Sequence, residues 1–545
     1  MRTLISLTCL LTLMVGCVDE DDPGAFNPYL QPDAGPDASP LDAAAEADTA
    51  LEQPDSDLTD AVAADAAPLP ADAVVDGTGP YAYSPPSGEV PESLSSEVWR
   101  RHYLDEVLPY WTMDEARGEP LGNFPTFRGM NGTIQGSRER RPRMLGRQTY
   151  AYAMGYLLTG DTELLELAHA GSSWILEHAR DEARGGWHTL LNGNGGPQGD
   201  DAKYAQDTAY VILGLGAWYF VARDPVAEAA VLAGRDLLFD EGTYWDADNQ
   251  RIRDAMSPDL TTEVDQGSDG GWELVAQLDP INAFMLLTQP VLSEASRQDQ
   301  FLDDMQTLAQ TMIDAFWSDG IFWGIHNQQG QYGGRHVDFG HTLKTYWMIL
   351  QIDKRLEGHP FQSFLFDHVH DWVIRAYDVE GDRWAKRPTG PATVEYGSDW
   401  WIYAEADQIT ATLNLLDHRY TRLLSQTGQH WLSDYVDATF GEVISGIRRD
   451  GQKVFAWPAT DTAKCNQWKN GYHSTEHALI MYLHGRHLEE QSVTLYFAVP
   501  EAEVESFVAR PYIFEGREVS RMPMETFEVG GRTLRKVAVE FVELY

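Results

Sequence analysis

Two histidines, His341 and His473, have the side-chain type that acid–base chemistry near neutral pH requires. An imidazole gains and loses its proton close to pH 7, so it can take a proton from a carbon atom or return one. The two residues fall in separate helical segments of the sequence. Two imidazoles on opposite faces of one carbon would support epimerisation beside a carbonyl group. The chain contains 16 histidines, so residue type alone does not single out this pair.

The sequence around each histidine is what distinguishes the pair. His473 ends the run Trp-Lys-Asn-Gly-Tyr-His that begins at Trp468, and His341 follows a glycine. The two runs resemble the Trp-Lys-x-x-Tyr-His and Gly-His-x-x-Glu motifs of the N-acylglucosamine 2-epimerase and cellobiose 2-epimerase family. The resemblance covers roughly residues 95–488. It implies a carbohydrate 2-epimerase or aldose–ketose isomerase that acts on a reducing sugar through His341 and His473, with no cofactor and no metal.

Four further residues lie in runs that resemble the family. The resemblance implies that Arg147 points into the pocket, where it would bind the sugar and stabilise negative charge on an enediolate oxygen. Trp401 and Glu405 are four residues apart, so they share one face of a helix. We expect the Trp401 ring to cover the C–H face of a sugar and the Glu405 carboxylate to accept its hydroxyl groups. Trp468 is a second candidate platform. A surface arginine and core tryptophans are the alternative interpretations.

Three positions depart from the family pattern. Asp279 and Asn282 stand where the family has a His-x-x-Glu run, and Lys344 stands where it has the glutamate of Gly-His-x-x-Glu. A lysine in place of an acidic partner lowers the pKa of a nearby histidine. We keep Asp279 among the predicted substrate-binding residues, and we expect a substrate unlike the usual ones of the family. His477, one turn after His473, is a candidate to orient that ring through a hydrogen bond.

Two other functions remain open from the sequence. An oligosaccharide hydrolase or lyase on the same scaffold would use carboxylates, for which Asp207, Asp279 and Glu405 are the candidates. Inverting hydrolysis would place two of them roughly 6.5–9.5 Å apart. The other possibility is a non-catalytic sugar-binding lipoprotein. The sequence contains no glycine-rich phosphate loop, nucleophile elbow or metal-binding helix motif.

Helix signals divide the chain between residues 95 and 489 into about twelve segments. Asp161 follows a glycine and Asp224 precedes a proline, and both are residue types that begin helices. Closely paired segments predict an all-α fold of helical hairpins. An open solenoid would give the same pattern, but the family resemblance implies closure into an (α/α)6 toroid. Residues 490–545 contain β-branched, alternating runs, which predict a small β-rich appendage.

The beginning of the chain predicts export. Residues 1–17 combine one positive charge with an apolar run of about twelve residues, which is typical of a signal peptide. The run ends in a glycine and Cys17, and it resembles a bacterial lipobox. We therefore expect a lipid on Cys17 that anchors the protein to a bacterial membrane, on its periplasmic or cell-surface side. An ordinary signal peptide is the alternative. Residues 18–94 are acidic and rich in alanine and proline, which predicts a disordered tether.

Charge and cysteine content narrow the possible partners. The formal net charge is −44, which disfavours nucleic acid and anionic lipid headgroups as ligands. A small sugar remains compatible with this surface. We therefore expect membrane contact through the N-terminal lipid only. The three cysteines offer no zinc ligand set and leave the mature chain without a disulfide.

Overall fold

The structure is a computed structural model, and it describes residues 81–136, 138–199, 201–264, 271–326, 332–333, 336–390, 393–455 and 463–545. The predicted signal sequence, the lipidation site at Cys17 and the tether as far as residue 80 lie outside these ranges. Within the described part of the chain, no helix is both long enough and apolar enough to cross a membrane.

Twelve helical rods dominate the described residues, and they follow one another in pairs. Their bounds are α1 (Ser96–Arg101, His102–Val107 and Leu108–Thr112), α2 (Pro142–Thr159), α3 (Thr162–His178), α4 (Ala205–Ala222), α5 (Pro225–Leu238), α6 (Leu274–Pro280, Ile281–Met285 and Leu286–Thr288), α7 (Ala295–Thr311 and Met312–Phe316), α8 (Phe339–Asp353), α9 (Gln362–Ala376), α10 (Trp400–Asp417), α11 (Thr421–His430 and Trp431–Tyr435) and α12 (Tyr472–Leu488). The predicted all-α toroid is confirmed.

Burial separates the rods into two layers. The even-numbered helices are buried on nearly every side, as expected for an inner ring. The odd-numbered helices are amphipathic and place one apolar face against that ring. Neighbouring inner helices pack side by side, the Lys344–Asp279 ion pair joins α6 to α8, and α12 packs on α2, which closes the ring. Two helices begin as their sequence predicts, because the side chains of Asp161 and Asp224 accept from backbone N–H groups of the first turn.

A pair of glycines lets α2 and α4 approach unusually closely. A Cβ atom on Gly146 would lie 2.0 Å from the backbone oxygen of Tyr210, and a Cβ on Gly214 would lie 2.6 Å from the oxygen of Gly146. Backbone atoms cannot move aside as the end of a flexible side chain can. The contact therefore fixes the spacing of the two helices, and it places Arg147 of α2 beside Tyr210 of α4.

We expect a Gly146→Ala variant to lose about 3 kcal/mol of unfolding free energy, because the added methyl group overpacks a backbone contact. Urea unfolding followed by circular dichroism would measure the loss. Gly428→Ala is the matched control: this helical position has its nearest neighbouring atom at 3.4 Å. Alanine should be neutral there, or stabilising by up to ~1 kcal/mol. Equal stability of the two variants would contradict the expectation.

The chain ends in a three-stranded antiparallel sheet, as the sequence predicts. Its strands are β1 (Val493–Val499), β2 (Arg517–Val529) and β3 (Arg532–Val542), in the order β1-β3-β2. Gly530 and Gly531, with φ of 59° and 73°, form the turn between β2 and β3. Strand β1 packs on α2 and α4. Tyr156, in the last turn of α2, donates a hydrogen bond to the backbone oxygen of Phe497 at 3.0 Å.

Short strand pairs connect the helices at the other end of the inner ring. Their bounds are Arg128–Gly129 with Ala463–Cys465, Lys203–Tyr204 with Ala255–Met256, Trp245–Asp246 with Arg251–Ile252, Trp317–Ser318 with Ile321–Phe322, Tyr377–Asp378 with Arg383–Trp384, and Arg387–Gly390 with Thr393–Glu395. Two groups have three strands: Trp272–Glu273, Ile325–His326 and Tyr332–Gly333, and Gly397–Asp399, Gly446–Arg448 and Lys453–Val454.

The predicted end of the tether at residue 94 is too late. Tyr81 is buried, and its hydroxyl group donates a hydrogen bond to the carboxylate of Asp353 at the end of α8. Leu94 is fully buried. Residues from 81 onward therefore pack on the folded body. The apolar side chains of Tyr81 and Leu94 are buried there, which the acidic composition of the preceding stretch does not indicate.

Candidate active site

The first two turns of the inner helices converge at one end of the ring. They bring together residues that are distant in sequence: Arg147 on α2, Tyr210 on α4, Asp279 on α6, His341 and Lys344 on α8, Trp401 and Glu405 on α10, and His473 and Glu476 on α12. Trp468 lies in the segment that leads into α12. These helix N-termini carry partial positive charge, which favours negative charge developing between them.

Arg147 holds His473 in one protonation state. Its guanidinium donates to Nε2 of His473 at 2.7 Å and to the backbone oxygen of Trp468 at 3.1 Å. The rings of Tyr210 and Tyr472 flank it at 4.8 and 4.9 Å. Since a guanidinium has donors only, Nε2 of His473 must be the unprotonated nitrogen, and Nδ1 of the neutral ring carries the hydrogen.

The surroundings of His473 favour that neutral ring. Burial lowers the pKa of His473 well below its usual 6.5, and the positive charges of Arg147 and Lys344 lower it further. The effect that the sequence predicts for a lysine near a histidine is therefore seen at His473. At neutral pH this imidazole is uncharged, and it has a lone pair on Nε2 with which to accept a proton.

Glu405 is a fully buried side chain beside His473. Its side chain is 0% exposed, and its Oε1 lies 3.4 Å from Nδ1 of His473. Burial raises the pKa of Glu405 above its usual value, which favours the protonated form of this carboxyl group. The direct contact between Glu405 and sugar hydroxyl groups stays a prediction from the sequence. In the structure the residue contacts the imidazole of His473.

Lys344 and Asp279 form a buried ion pair that joins α8 to α6. The ammonium of Lys344 lies 3.0 Å from Oδ1 of Asp279 and 3.9 Å from Oε1 of Glu405. Asp279 also accepts from Gln206 at 2.6 Å and from Tyr210 at 3.2 Å. Burial alone would raise the pKa of Asp279, but Lys344 and Gln206 hold it below its usual value. Asp279 is 1% exposed and accepts from three protein donors, and its predicted contact with substrate stays a prediction.

His341 is oriented by a residue that the sequence analysis missed. Asp338 caps α8 by accepting from the backbone N–H of His341 at 2.8 Å, and its second oxygen accepts from Nδ1 of the ring at 2.7 Å. The ring therefore directs its Nε2 away from Asp338. An aspartate three residues before the histidine has the spacing of a helix N-cap, which is the signal that could have identified it.

His477 does not orient His473. Its Nε2 lies 2.9 Å from Oδ2 of Asp407, and its ring meets that of Trp431 edge-on. The predicted hydrogen bond to His473 is therefore wrong, because His477 pairs with the carboxylate of Asp407 on α10 and packs against Trp431 on α11.

Trp401 is a neighbour of both candidate histidines. Its ring centroid is 4.7 Å from that of His341 and 6.3 Å from that of His473. Trp401 and Trp468 are both partly exposed, and Arg143 lies over the Trp468 ring at 5.2 Å. The tryptophans therefore mark the open side of the site. The carboxyl groups and Lys344 lie on its closed side.

One group of side chains has the composition of a metal site. Glu405, His473 and Glu476 each offer a ligand atom, and these atoms all lie within 4.8 Å of one another. Lys344 and Arg147 lie directly against this group. Their positive charges oppose the binding of a further cation, so the donor set fits a proton better than a metal ion.

Comparisons with known proteins point to one enzyme family. The family model of N-acylglucosamine 2-epimerase (GlcNAc 2-epimerase) matches residues 122–373. The N-acylglucosamine 2-epimerase of Rattus norvegicus is 22% identical over 386 residues, which cover 66% of this chain and 87% of the rat protein. That of Mus musculus is likewise 22% identical over 386 residues, with the same coverage.

Solved structures show the same fold. The cellobiose 2-epimerase from Spirochaeta thermophila superposes with a TM-score of 0.64 at 17% identity, covering 72% of this chain and 97% of its own. A D-mannose isomerase superposes with a TM-score of 0.62 at 19% identity, covering 73% of this chain and 100% of its own. In each case about a quarter of the present chain has no counterpart in an almost fully matched neighbour.

Proposed function

We propose that this chain, whose residues 122–373 match the N-acylglucosamine 2-epimerase family model, is an isomerase that moves the C2 proton of a reducing sugar by histidine acid–base catalysis. The observation that carries this proposal is the hydrogen bond from Arg147 to Nε2 of His473. It presents a neutral imidazole as a base, next to a cation that can stabilise the charge which forms when the proton leaves carbon.

Proton removal is assigned to His473. As Nε2 takes the C2 proton, Arg147 gives up its hydrogen bond to that nitrogen and donates instead to the substrate oxygen. Negative charge then develops on an enediolate oxygen beside the guanidinium and the helix N-termini. The imidazolium keeps its Nδ1 hydrogen directed toward Glu405, which lies 3.4 Å away.

Proton return is assigned to His341. Asp338 fixes its tautomer and orientation, and the Trp401 ring lies close to both imidazoles. A sugar lying over the Trp401 ring would therefore meet the two imidazoles at different positions. Delivery of the proton to the opposite face of C2 gives the epimer, and delivery to C1 gives the isomerised sugar.

The geometry gives less support to hydrolysis. Asp279 and Glu405 approach the same ammonium group of Lys344 and are both buried. Asp207 pairs with Arg143 at 3.0 Å. An acid that protonates a glycosidic oxygen must reach that oxygen, and a water nucleophile needs room beside its base. The two buried carboxyl groups offer neither on the open side of the site.

Solvent exchange tests the proposal directly. A panel of reducing mono- and disaccharides is incubated with the enzyme in deuterated water, and the sugars are analysed by mass spectrometry and NMR. We expect one deuterium at C2 of the epimer, or at C1 of an isomerised product. A methyl glycoside of the same sugar cannot open its ring and should stay unlabelled. Cleavage of an oligosaccharide that depends on Asp207 or Glu405, with every reducing sugar unlabelled, would replace the proposal with a hydrolase or lyase.

A further inference from the structure

A residue from outside the toroid reaches the closed side of the candidate active site. Tyr512 lies in the segment between β1 and β2, and it is 4% exposed. Its hydroxyl group donates a hydrogen bond to Oε1 of Glu476, and it lies 2.8 Å from the hydroxyl group of Tyr150 on α2. Glu476 is one turn below His473 on α12. The C-terminal region, which looks purely structural in sequence, therefore contacts a carboxyl group next to the proposed base.

Glu476 and Glu405 form a buried pair of carboxyl groups beside His473. Glu405 is 0% and Glu476 is 1% exposed, and each offers an atom within 4.8 Å of the other and of the imidazole. Two carboxylates this close in a buried site repel each other strongly, so they do not both ionise at neutral pH. Burial and this repulsion raise the pKa of Glu405, and burial raises that of Glu476.

We propose that Glu405 and Glu476 hold one proton between them, and that Tyr512 keeps this proton on Glu405, next to Nδ1 of His473. An O–H donor stabilises the ionised form of the carboxylate that accepts from it, and Tyr512 donates to Glu476. Among the described residues, no hydrogen bond of good geometry reaches either oxygen of Glu405. Protonation of Glu405 therefore costs less free energy than protonation of Glu476.

The charges around the pair agree with one proton. Lys344 and Arg147 contribute two positive charges, and Asp279 contributes one negative charge. One ionised carboxylate among Glu405 and Glu476 makes this buried group neutral. The remaining titratable groups that face it are Tyr150 on α2, His341 on α8, Lys469 before α12, Tyr472 on α12 and Tyr512 itself.

Tyr512 and Glu476 are thus positioning residues that act through Glu405. A neutral Glu405 leaves the imidazole of His473 neutral, whereas an ionised Glu405 would favour the imidazolium. The inference rests on the proposed function only in experiments that measure the rate of the proposed reaction. The proton on the carboxyl pair can be observed without turnover.

Infrared spectroscopy of the full chain at neutral pH tests the shared proton. We expect the C=O stretching band of a protonated, buried carboxyl group in wild type, and its loss in both Glu405→Gln and Glu476→Gln, because the one remaining carboxylate balances the net positive charge of Lys344, Arg147 and Asp279. A band that survives Glu476→Gln would show that burial alone protonates Glu405 and would overturn the proposal. A stoichiometric divalent metal that is present in wild type and absent from Glu476→Gln would also overturn it.

The pH dependence of kcat/KM tests the part assigned to Tyr512. In Tyr512→Phe the proton moves toward Glu476, Glu405 becomes ionised, and the pKa of His473 rises. The acidic limb of the profile should therefore move to higher pH by roughly one unit. Tyr156→Phe is the matched control, since it removes another hydroxyl contact between toroid and C-terminal region. The acidic limb of the Tyr156→Phe profile should not move. If Tyr512→Phe lowers kcat/KM but leaves the acidic limb at the same pH, the tyrosine has only a structural role.

Discussion

A His473→Asn enzyme is expected to show kcat/KM about 10³-fold below wild type, with the same loss in deuterium exchange at C2. Asparagine can still accept a hydrogen bond from Arg147, but it cannot take a proton from carbon. Initial rates on the best sugar of the panel, at neutral pH and at saturating and low concentrations, would measure the loss.

The matched control for that variant is His484→Gln, on the same helix. His484 is buried and lies 2.9 Å from Nδ2 of Asn414, at the end of α12 that faces away from the site. Its replacement should leave kcat/KM within a few-fold of wild type. A His473→Asn enzyme that stays within tenfold of wild type would remove His473 from the role of base.

The second large effect is expected on stability. Lys344→Met removes the only described cation between two buried carboxyl groups, at 3.0 Å from Asp279 and 3.9 Å from Glu405. We expect the free energy of unfolding in urea to fall by about 3–5 kcal/mol, because breaking a buried pair leaves an uncompensated charge. The pKa of His473 should rise in the same variant, since the charge of Lys344 lowers it.

Two companion variants separate this effect from a general loss of a lysine. Lys344→Met combined with Asp279→Asn should recover most of the stability, because the buried carboxylate is then replaced by a neutral amide. Lys536→Met removes an ion pair to the exposed Glu525 and should cost no more than ~1 kcal/mol. If the double variant is as unstable as Lys344→Met alone, the pair does not work as a charge-compensating unit.

The succession of helical hairpins was accessible from sequence because its signals are local, whereas closure into a toroid was implied only by the family resemblance. Capping by Asp161 and Asp224, and the apolar faces of successive helices, depend on residues within a few turns of one another. The convergence of Arg147, His341 and His473 was accessible only through the family resemblance. Nothing in their spacing along the chain brings three helix N-termini together.

The depth at which Glu405 is buried has a simple geometric origin. Four residues along a helix return to the same face, so the sequence correctly groups Trp401 with Glu405. The same four residues also advance the chain by about 6 Å along the helix axis. Since α10 runs from the open side of the site into the ring, Trp401 lies at the mouth and Glu405 lies one turn below it.

The compensation between Lys344 and Asp279 could not be found in the sequence either. Each residue looks like an isolated departure from the family pattern, and their relation becomes visible only when α6 and α8 are neighbours. Tyr512 is a stronger case, because it lies in an irregular segment with no periodic pattern. Its contact with Tyr150 joins two parts of the chain that no local signal connects.

The hydrogen bond between Tyr512 and Glu476 couples the docking of the C-terminal sheet to proton binding by the buried carboxyl pair. Such couplings are reciprocal: if docking the sheet changes the proton affinity of the carboxyl pair, then adding or removing that proton changes the free energy of docking by the same amount. A change in proton binding by the carboxyl pair and a change in the docking of the C-terminal sheet therefore act on the same coupled equilibrium.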